Sequence, residues 1–188
     1  MAPVILILAA GLWIPNSPAC AAESAAALCE VTDDTKKEEK PDSAALRAFE
    51  NFKTLAGVWN GANQEGVASR QTFRVIAAGS CVVQTTDFDG HPGQTMITMY
   101  HMDGDQLMLT HYCVAKNQPR MRATKVGEDS RTVLFTFLDG TNLPSRDKGH
   151  MDSASFRFID ADHFASKWTW YQDGKETWME EFRYERKK

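Results

Sequence analysis

From Leu55 onward, the pattern of hydrophobic and polar positions is that of short strands separated by turns. Apolar and polar residues alternate with a period close to two, and turn-forming pairs such as Gly79-Ser80, Asp103-Gly104 and Asp173-Gly174 interrupt the alternation. Such regular punctuation is typical of antiparallel barrels and sandwiches. The pattern predicts ten strands, which cover residues 57–64, 67–78, 81–88, 94–102, 106–114, 119–126, 131–138, 150–159, 163–172 and 175–185.

The connections between these strands predict how the sheet is arranged. Every predicted connection is short except the one from Asp139 to Gly149. Strands joined in sequence by short hairpins form an up-and-down meander, and closing the meander into a barrel removes its exposed edges. The predicted fold is therefore all-β, a ten-stranded antiparallel up-and-down β-barrel. The longer loops are expected at one end, the mouth, and the tight turns at the other, the floor.

A helix is predicted before the first strand. Asp42 or Ser43 suits its N-cap, because both side chains accept hydrogen bonds from backbone N–H groups of the first turn. The helix is expected to run to about Thr54 and to close one end of the barrel with one apolar stripe. That stripe consists of Leu46, Phe49 and Phe52.

The N-terminal segment has the features of an export signal. Residues 1–22 contain no charged side chain and include a short apolar run, and Ala19-Cys20-Ala21 fits a small-residue cleavage site. Residues 23–41 are rich in charge and are expected to form a flexible linker to a barrel domain at 42–188. The prediction is an exported protein, periplasmic or secreted. Lipid anchoring at Cys20 is the alternative.

Composition narrows the classes of partner. The net charge of −4 argues against nucleic acid as a partner. Five Trp, four Tyr and ten Phe provide many rings for a chain of 188 residues. This composition suits a barrel lined with aromatic side chains, and a small hydrophobic ligand is the predicted partner.

Gly57-Val58-Trp59, after a helix and at the start of the first strand, resembles the Gly-x-Trp signature of lipocalins. Residues 55–186 also resemble the lipocalin-like domains of unknown function in exported bacterial proteins and the nitrobindin-type ten-stranded barrels. The resemblance implies that Trp59 closes the barrel floor and that an Arg at the end of the last strand, Arg183 or Arg186, covers it. Ten strands differ from the eight of a true lipocalin.

Two hairpins predict which side chains share a face. Turning at Asp103-Gly104 pairs Tyr100 with Leu107, and a second turn around Asn117 places Arg122 beside His111. One face then collects Tyr100, His111, Cys113, Arg120 and Arg122, joined by Val133, Phe135 and Phe137. The opposite face collects Ile97, Met99, Met108, Tyr112 and Met121.

The last hairpin, which turns at Asp173-Gly174, is expected to add further side chains to the first face. These are Phe164, Ser166, Trp168, Trp170, Thr177, Met179, Glu181 and Arg183. Rings together with a few convergent polar groups are typical of ligand pockets, so this face is interpreted as the interior. The flipped assignment, with Met99, Met108 and Met121 inside, is the alternative.

The leading functional hypothesis is a binding protein for a largely apolar ligand with an anionic or carbonyl head group. His111 and Arg122 would anchor the head, because Arg forks suit carboxylates and a neutral imidazole can donate to a carbonyl. The predicted ligand-binding residues are Tyr100, His111, Cys113, Arg120, Arg122, Phe135, Phe137, Trp168 and Trp170. The hypothesis assigns no catalytic residue, metal ligand or cofactor.

The alternatives belong to other classes: a haem-binding or small-molecule enzyme barrel that uses His111, and a structural or interaction module. The nitrobindin resemblance implies a haem ligand, for which His111 is the candidate, although the axial His of those barrels lies on a late strand, where this chain offers His150 and His163. A small-molecule enzyme would also use His111; Cys113 lies two residues away, but no third orienting group is evident. The remaining alternative is a structural or interaction module filled by its own side chains.

Overall fold

The computed structural model describes residues 43–188, apart from the side chains of Trp178 and Met179. The predicted signal segment, Cys20 and the linker lie outside these residues. One helix, α1 (Ala44–Thr54), precedes ten strands, and a 3₁₀ turn covers Ala77–Gly79. The strands are β1 (Gly57–Asn63), β2 (Ala68–Ile76), β3 (Cys81–Phe88), β4 (Met96–Asp103), β5 (Gln106–Tyr112), β6 (Gln118–Val126), β7 (Thr132–Thr141), β8 (His150–Phe158), β9 (His163–Gln172) and β10 (Lys175–Arg186).

The ten strands form a closed barrel in which each strand pairs antiparallel with its sequence neighbours. β1 pairs with β10 and closes the sheet, with Trp59 opposite Arg186. The prediction of a ten-stranded antiparallel up-and-down barrel is therefore confirmed. No helix among the described residues is long and apolar enough to cross a membrane.

The helix closes the floor of the barrel. Ser43 caps α1 by accepting a hydrogen bond from the Leu46 N–H at 3.1 Å. Phe49 and Phe52 are buried, and Asn51 Nδ2 donates to the Ser130 carbonyl, 2.9 Å away, in the turn between β6 and β7. α1 thus covers the end of the barrel that carries the tight turns, as the sequence predicts.

Trp59 occupies the position that the lipocalin resemblance implies. Its ring is fully buried, and its Nε1–H donates to the Leu55 carbonyl at 2.7 Å. The guanidinium of Arg186 lies 4.2 Å above the ring and donates to the Thr54 and Ala56 carbonyls, each at 2.9 Å. The covering Arg is therefore Arg186 and not Arg183.

The register of the first hairpin differs from the prediction by two residues. Asp103 pairs with Gln106, so the turn consists of Gly104 and Asp105, and Tyr100 pairs with Leu109 instead of Leu107. Gly104 has φ 59°, and Gly at the first of two turn positions is typical of type II′ turns. A shift of two residues keeps every side chain on its face, so Tyr100 still points inward.

The register of the second hairpin differs from the prediction by an odd number of residues, which exchanges the inward and outward faces of β6. Its loop is residues 114–116, because the Cys113 N–H donates to the Asn117 carbonyl at 3.1 Å and Lys116 adopts φ 66°. Arg120 consequently pairs with Thr110 instead of Cys113. An odd shift exchanges the inner and outer faces of a strand, so β6 turns over relative to the prediction.

The predicted inward orientation of Arg120 and Arg122 is wrong. Both side chains are exposed on the outer surface, where Arg120 forms an ion pair with Asp139 and Arg122 lies opposite Met108 instead of His111. The inward residue between them is Met121, which is fully buried. The flipped alternative is correct for Met121 on β6 but wrong for β5, where His111 points inward.

The last hairpin contains a β-bulge that the sequence pattern did not reveal. The register shifts between Glu176 and Trp178, so Trp168 pairs with Glu180 and not with Met179. One extra residue exchanges the faces of the strand beyond it. Glu181 and Arg183, predicted inside, form an ion pair outside with 3.4 Å between Arg183 Nε and Glu181 Oε1. The side chains that replace them inside are Glu180, Phe182 and Tyr184.

Candidate functional site

The barrel interior forms a funnel that opens at the end opposite α1. A wide cavity of about 460 Å³ lies at the mouth, and a narrow cavity of about 40 Å³ lies beneath it. Four residues line both: Phe88, Met96, Met151 and Glu180. We call this shared level the neck.

Polar side chains from adjacent strands line the inner cavity. Gln71, Gln84, Thr98 and His111 belong to β2, β3, β4 and β5, and each is less than 5% exposed. Gln71 Nε2 donates to the hydroxyl of Tyr184 at 2.6 Å. These residues come together because each occupies an inward position on a neighbouring strand.

Several of these polar groups are connected to one another. The hydroxyl of Tyr100 donates to Gln84 Oε1, and Gln84 Nε2 donates to Thr86 Oγ1 at 3.2 Å. Thr98 Oγ1 lies 2.9 Å from His111 Nδ1. Hydrogen bonds of this kind hold side chains in fixed orientations, so the cavity base presents defined polar atoms.

Two buried polar atoms of the inner cavity have no hydrogen-bond partner. They are Gln71 Oε1 and His111 Nε2. Buried polar atoms are nearly always hydrogen-bonded in folded proteins, and leaving one without a partner costs about 1–3 kcal/mol. The two atoms therefore have hydrogen-bonding capacity that the protein itself does not use.

Burial lowers the pKa of His111 to about 4, so the imidazole is neutral at pH 7. Its ring lies 4.9 Å from the ring of Trp168, measured between centroids. Because Thr98 engages Nδ1, the remaining atom Nε2 serves a ligand as donor in one tautomer and as acceptor in the other. Together with Gln71 Oε1, it matches a group that both donates and accepts.

The low pKa of His111 predicts a loss of stability in mild acid. Between the ordinary pKa of 6.5 and the folded value of about 4, the unfolded chain binds a proton that the folded protein does not. We expect this residue to lower the free energy of unfolding by about 2 kcal/mol between pH 7 and pH 5. Urea denaturation at pH 7 and at pH 5 measures this change in the free energy of unfolding.

The control for this prediction is a second histidine. His111→Gln should remove most of the pH-dependent loss, whereas His163→Gln should keep it, because His163 is exposed at the floor beside Asp160. Equal pH dependence in wild type and His111→Gln would contradict the burial argument.

Glu180 is the one carboxylate among the described residues that line the two cavities, and no Lys or Arg of the described chain lines either. Burial raises the pKa of Glu180, and the nearby carboxylate of Glu65 raises it further. Glu180 also lines a third pocket, with Asn63, Glu65 and Lys167, but it forms no ion pair with that lysine.

The predicted ligand-binding residues are distributed over five places. His111 and Trp168 line the inner cavity, and Cys113 and Trp170 line the mouth. Arg120 and Arg122 lie outside the barrel. The other three, Tyr100, Phe135 and Phe137, line neither cavity.

Tyr100 and Phe135 belong to the closed core below the funnel, where both are fully buried near Phe52. Phe137 instead packs under the long loop between β7 and β8. The guanidinium of Arg146 lies 4.5 Å from the Phe137 ring and 3.9 Å from the Tyr171 ring. These contacts fasten the loop to the barrel wall.

The residues that sequence reasoning missed are Gln71, Gln84, Thr98 and Glu180. The first three are polar residues that lie two positions from a buried apolar residue on the same strand face, as Gln71 lies two positions from Phe73. That alternation is a usable signal only when the inward face of each strand is known. Glu180 would face outward if the alternation ran unbroken from the turn at Asp173-Gly174, and the bulge in β10 turns it inward.

The inner cavity does not fit haem. Its volume of about 40 Å³ is roughly a tenth of the smallest pockets that hold drug-sized molecules. His111 Nε2 is unpartnered, as an axial ligand requires, but Trp168 packs against the same ring. Of the late histidines, His150 has both ring nitrogens engaged, by Arg146 and the Lys148 carbonyl, and His163 is exposed at the floor.

The thiol of Cys113 has the wrong properties for a nucleophile. Burial raises its pKa, which favours the thiol over the reactive thiolate at neutral pH. Within residues 43–188, no group of three His, Cys, Asp or Glu side chains is arranged to hold a metal ion.

Comparisons with known proteins concern the fold. No family model and no curated protein matches the chain. Among solved structures, it is similar to NPUN_R4044 from Nostoc punctiforme PCC 73102, a DUF3598-family protein of unknown function, with 13% identity and a TM-score of 0.48 over 72% of this chain and 49% of the other. This chain thus spans about half that protein's length. It is also similar to Rv2717c from M. tuberculosis, with 14% identity and a TM-score of 0.48 over 75% and 98% of the two chains.

Proposed function

We propose that this barrel is an exported small-molecule-binding protein, periplasmic or secreted, whose ligand has a largely apolar body and a hydrogen-bonding head group. The observation that carries the proposal is the pair of buried, unpartnered atoms Gln71 Oε1 and His111 Nε2 in one cavity. A folded protein that keeps two such groups loses stability. A ligand that satisfies both offsets this cost.

The charges around the funnel decide which head group fits. An anionic head has no cation to bind inside, because Arg120 and Arg122 lie on the outer surface. It would also meet the carboxylate of Glu180 at the neck. The head is therefore a carbonyl, amide or hydroxyl group, which needs no counter-charge.

The walls of the funnel supply the apolar contacts. Phe88, Met96 and Met151 line both the inner cavity and the mouth, whereas Trp170 lines the mouth but not the inner cavity. The mouth is large enough for the body of a drug-sized ligand. Only the floor half of the barrel is filled by its own side chains, which favours a binding protein over a structural module.

The first test compares two probes of one shape. The neutral 3,3-dimethylheptan-1-ol should bind at least about tenfold more tightly than the anionic 3,3-dimethylheptanoate, because desolvating an unpaired carboxylate near Glu180 is costly. Calorimetric titration measures both affinities, and native mass spectrometry of the purified protein reports any co-purified ligand. Equal or preferred binding of the carboxylate would contradict a neutral head group.

A variant at the cavity base tests the same proposal. Gln71→Met keeps the size of the side chain but removes the unpartnered oxygen, so the alcohol should bind roughly 5- to 100-fold more weakly. Thermal stability without ligand should change little, because removing the unpartnered oxygen offsets the loss of the hydrogen bond from Gln71 Nε2 to the Tyr184 hydroxyl. The matched control is Gln118→Met. Gln118 Oε1 accepts a hydrogen bond from the Thr141 hydroxyl, and the residue lines neither cavity. Unchanged affinity in Gln71→Met would exclude the cavity base as the anchor.

A further inference from the structure

Glu180 lies at the one level of the funnel that both cavities share. It is paired across strands with Trp168, whose ring lines the inner cavity. A ligand that reaches from the mouth to Gln71 and His111 must therefore pass the side chain of Glu180.

The carboxylate of Glu180 has no positive partner in the described part of the chain. None of the ion pairs there includes Glu180, although the adjacent Glu181 has Arg183 and the cross-strand neighbour of Glu181 is Lys167. The polar neighbour of Glu180 is the side chain of Asn63. Lys167 lines an outer pocket with Glu180 but makes no ion pair with it. Partly buried charges are normally paired, so a carboxylate without an ion pair at this level favours a cationic ligand.

Aromatic rings surround the same level of the funnel. Phe88, Trp168 and Phe182 line the inner cavity with Glu180, and the Phe88 and Phe182 ring centroids are 5.6 Å apart. The electron-rich faces of aromatic rings attract organic cations, most strongly where water is excluded. Rings beside a carboxylate form an environment that favours an alkylated ammonium group over a hydrated metal ion.

We propose that the ligand carries a positively charged nitrogen, a protonated or quaternary amine, which binds beside Glu180 among the rings of Phe88, Trp168 and Phe182. This inference rests on the proposed function, since it concerns the same funnel. The hydrogen-bonding head below and the cation at the neck together define the ligand class. It is a small amino alcohol or amino amide with an apolar tail directed towards the mouth.

A third probe of the same skeleton tests this inference. N-(2-hydroxyethyl)-N,N-dimethylbutylammonium has the shape of 3,3-dimethylheptan-1-ol, with a quaternary nitrogen in place of the quaternary carbon. We expect calorimetry to show that the ammonium compound binds wild-type protein at least tenfold more tightly than the alcohol. In Glu180→Gln the preference for the ammonium compound over the alcohol should disappear, because Gln retains the shape but not the charge.

The neighbouring carboxylate provides the matched control. Glu181→Gln removes one negative charge from the outer surface next to Glu180 and should leave the tenfold preference intact, which separates a local contact from general attraction to an acidic protein. Alcohol binding by Glu180→Gln also demonstrates that the variant is folded. The selectivity of the wild-type protein is a separate measurement that requires no variant.

The outcomes distinguish this inference from the function on which it rests. If the alcohol binds but the ammonium compound binds no more tightly, the cation site is overturned and the binding protein stands. The same holds if Glu181→Gln removes the preference as fully as Glu180→Gln does. If neither compound binds at millimolar concentration, both proposals are overturned.

Discussion

Phe52→Ala should lower the free energy of unfolding by about 3–5 kcal/mol, the range for truncation of a fully buried Phe. The ring of Phe52 leaves α1 and enters the barrel floor, where it is inaccessible to solvent. It stacks on Tyr100 at 4.2 Å between centroids and meets Phe156 and Phe158 edge-on at 5.1 Å each. Because a closed sheet cannot collapse easily into the space left behind, the loss should lie in the upper part of this range.

Urea denaturation measures this effect, and Glu50→Ala is the matched control on the same helix. Glu50 is exposed, so its replacement should change the free energy of unfolding by less than about 0.5 kcal/mol. Alanine has the higher helix propensity, so any loss in Phe52→Ala reflects packing and not helix formation. A loss below about 1 kcal/mol would show that the floor closes without this ring.

The ten strands could be predicted because each has its own alternating pattern bounded by turn residues. Ser43 and the apolar stripe of α1 are equally local signals. The position of Trp59 could be predicted because Gly57-Val58-Trp59 resembles the lipocalin signature. The register between strands depends instead on turn geometry. The first turn begins at Gly104 and not at Asp103 as predicted. The resulting register shift of two residues changes which residues pair but leaves every side chain on its predicted face.

Odd shifts account for the charged residues that were placed on the wrong face of the barrel wall. The conformation of Lys116 fixes the loop at residues 114–116 and turns Arg120 and Arg122 outward. The bulge after Glu176 brings Glu180 inside. Neither lysine in a left-handed conformation nor a bulge without glycine has a reliable local signal, since the surrounding barrel imposes both.

The consequence for function is a change in the charge of the predicted head-group site. With Arg122 inside, the funnel would suit a carboxylate; with Glu180 inside, the proposed ligand carries an amine instead. His111 stayed in the site because its hairpin shifted by two residues, and its unpartnered Nε2 became visible only with the contacts of the fold. Residue types were therefore less informative than strand register about the ligand.

Trp59→Ala should also lower the free energy of unfolding by about 3–5 kcal/mol. The ring is fully buried and packs edge-on against Phe164 with 4.9 Å between centroids. Its truncation also removes the buried hydrogen bond to the Leu55 carbonyl and the surface on which Arg186 lies. The loss should appear as a lower urea midpoint with an unchanged slope, since the unfolded chain exposes nearly the same surface.

A double-mutant cycle separates the ring from its cover. Arg186→Met keeps an apolar chain over Trp59 but removes the charge and the hydrogen bonds to Thr54 and Ala56. Because Arg186 is partly exposed, its coupling to Trp59 should be about 0.5–1 kcal/mol, a small part of the Trp59→Ala loss. A coupling as large as the whole loss would mean that Trp59 acts chiefly as a platform for Arg186. A Trp59→Ala loss under about 1 kcal/mol would instead show that the floor is held by Phe52 and its neighbouring rings alone.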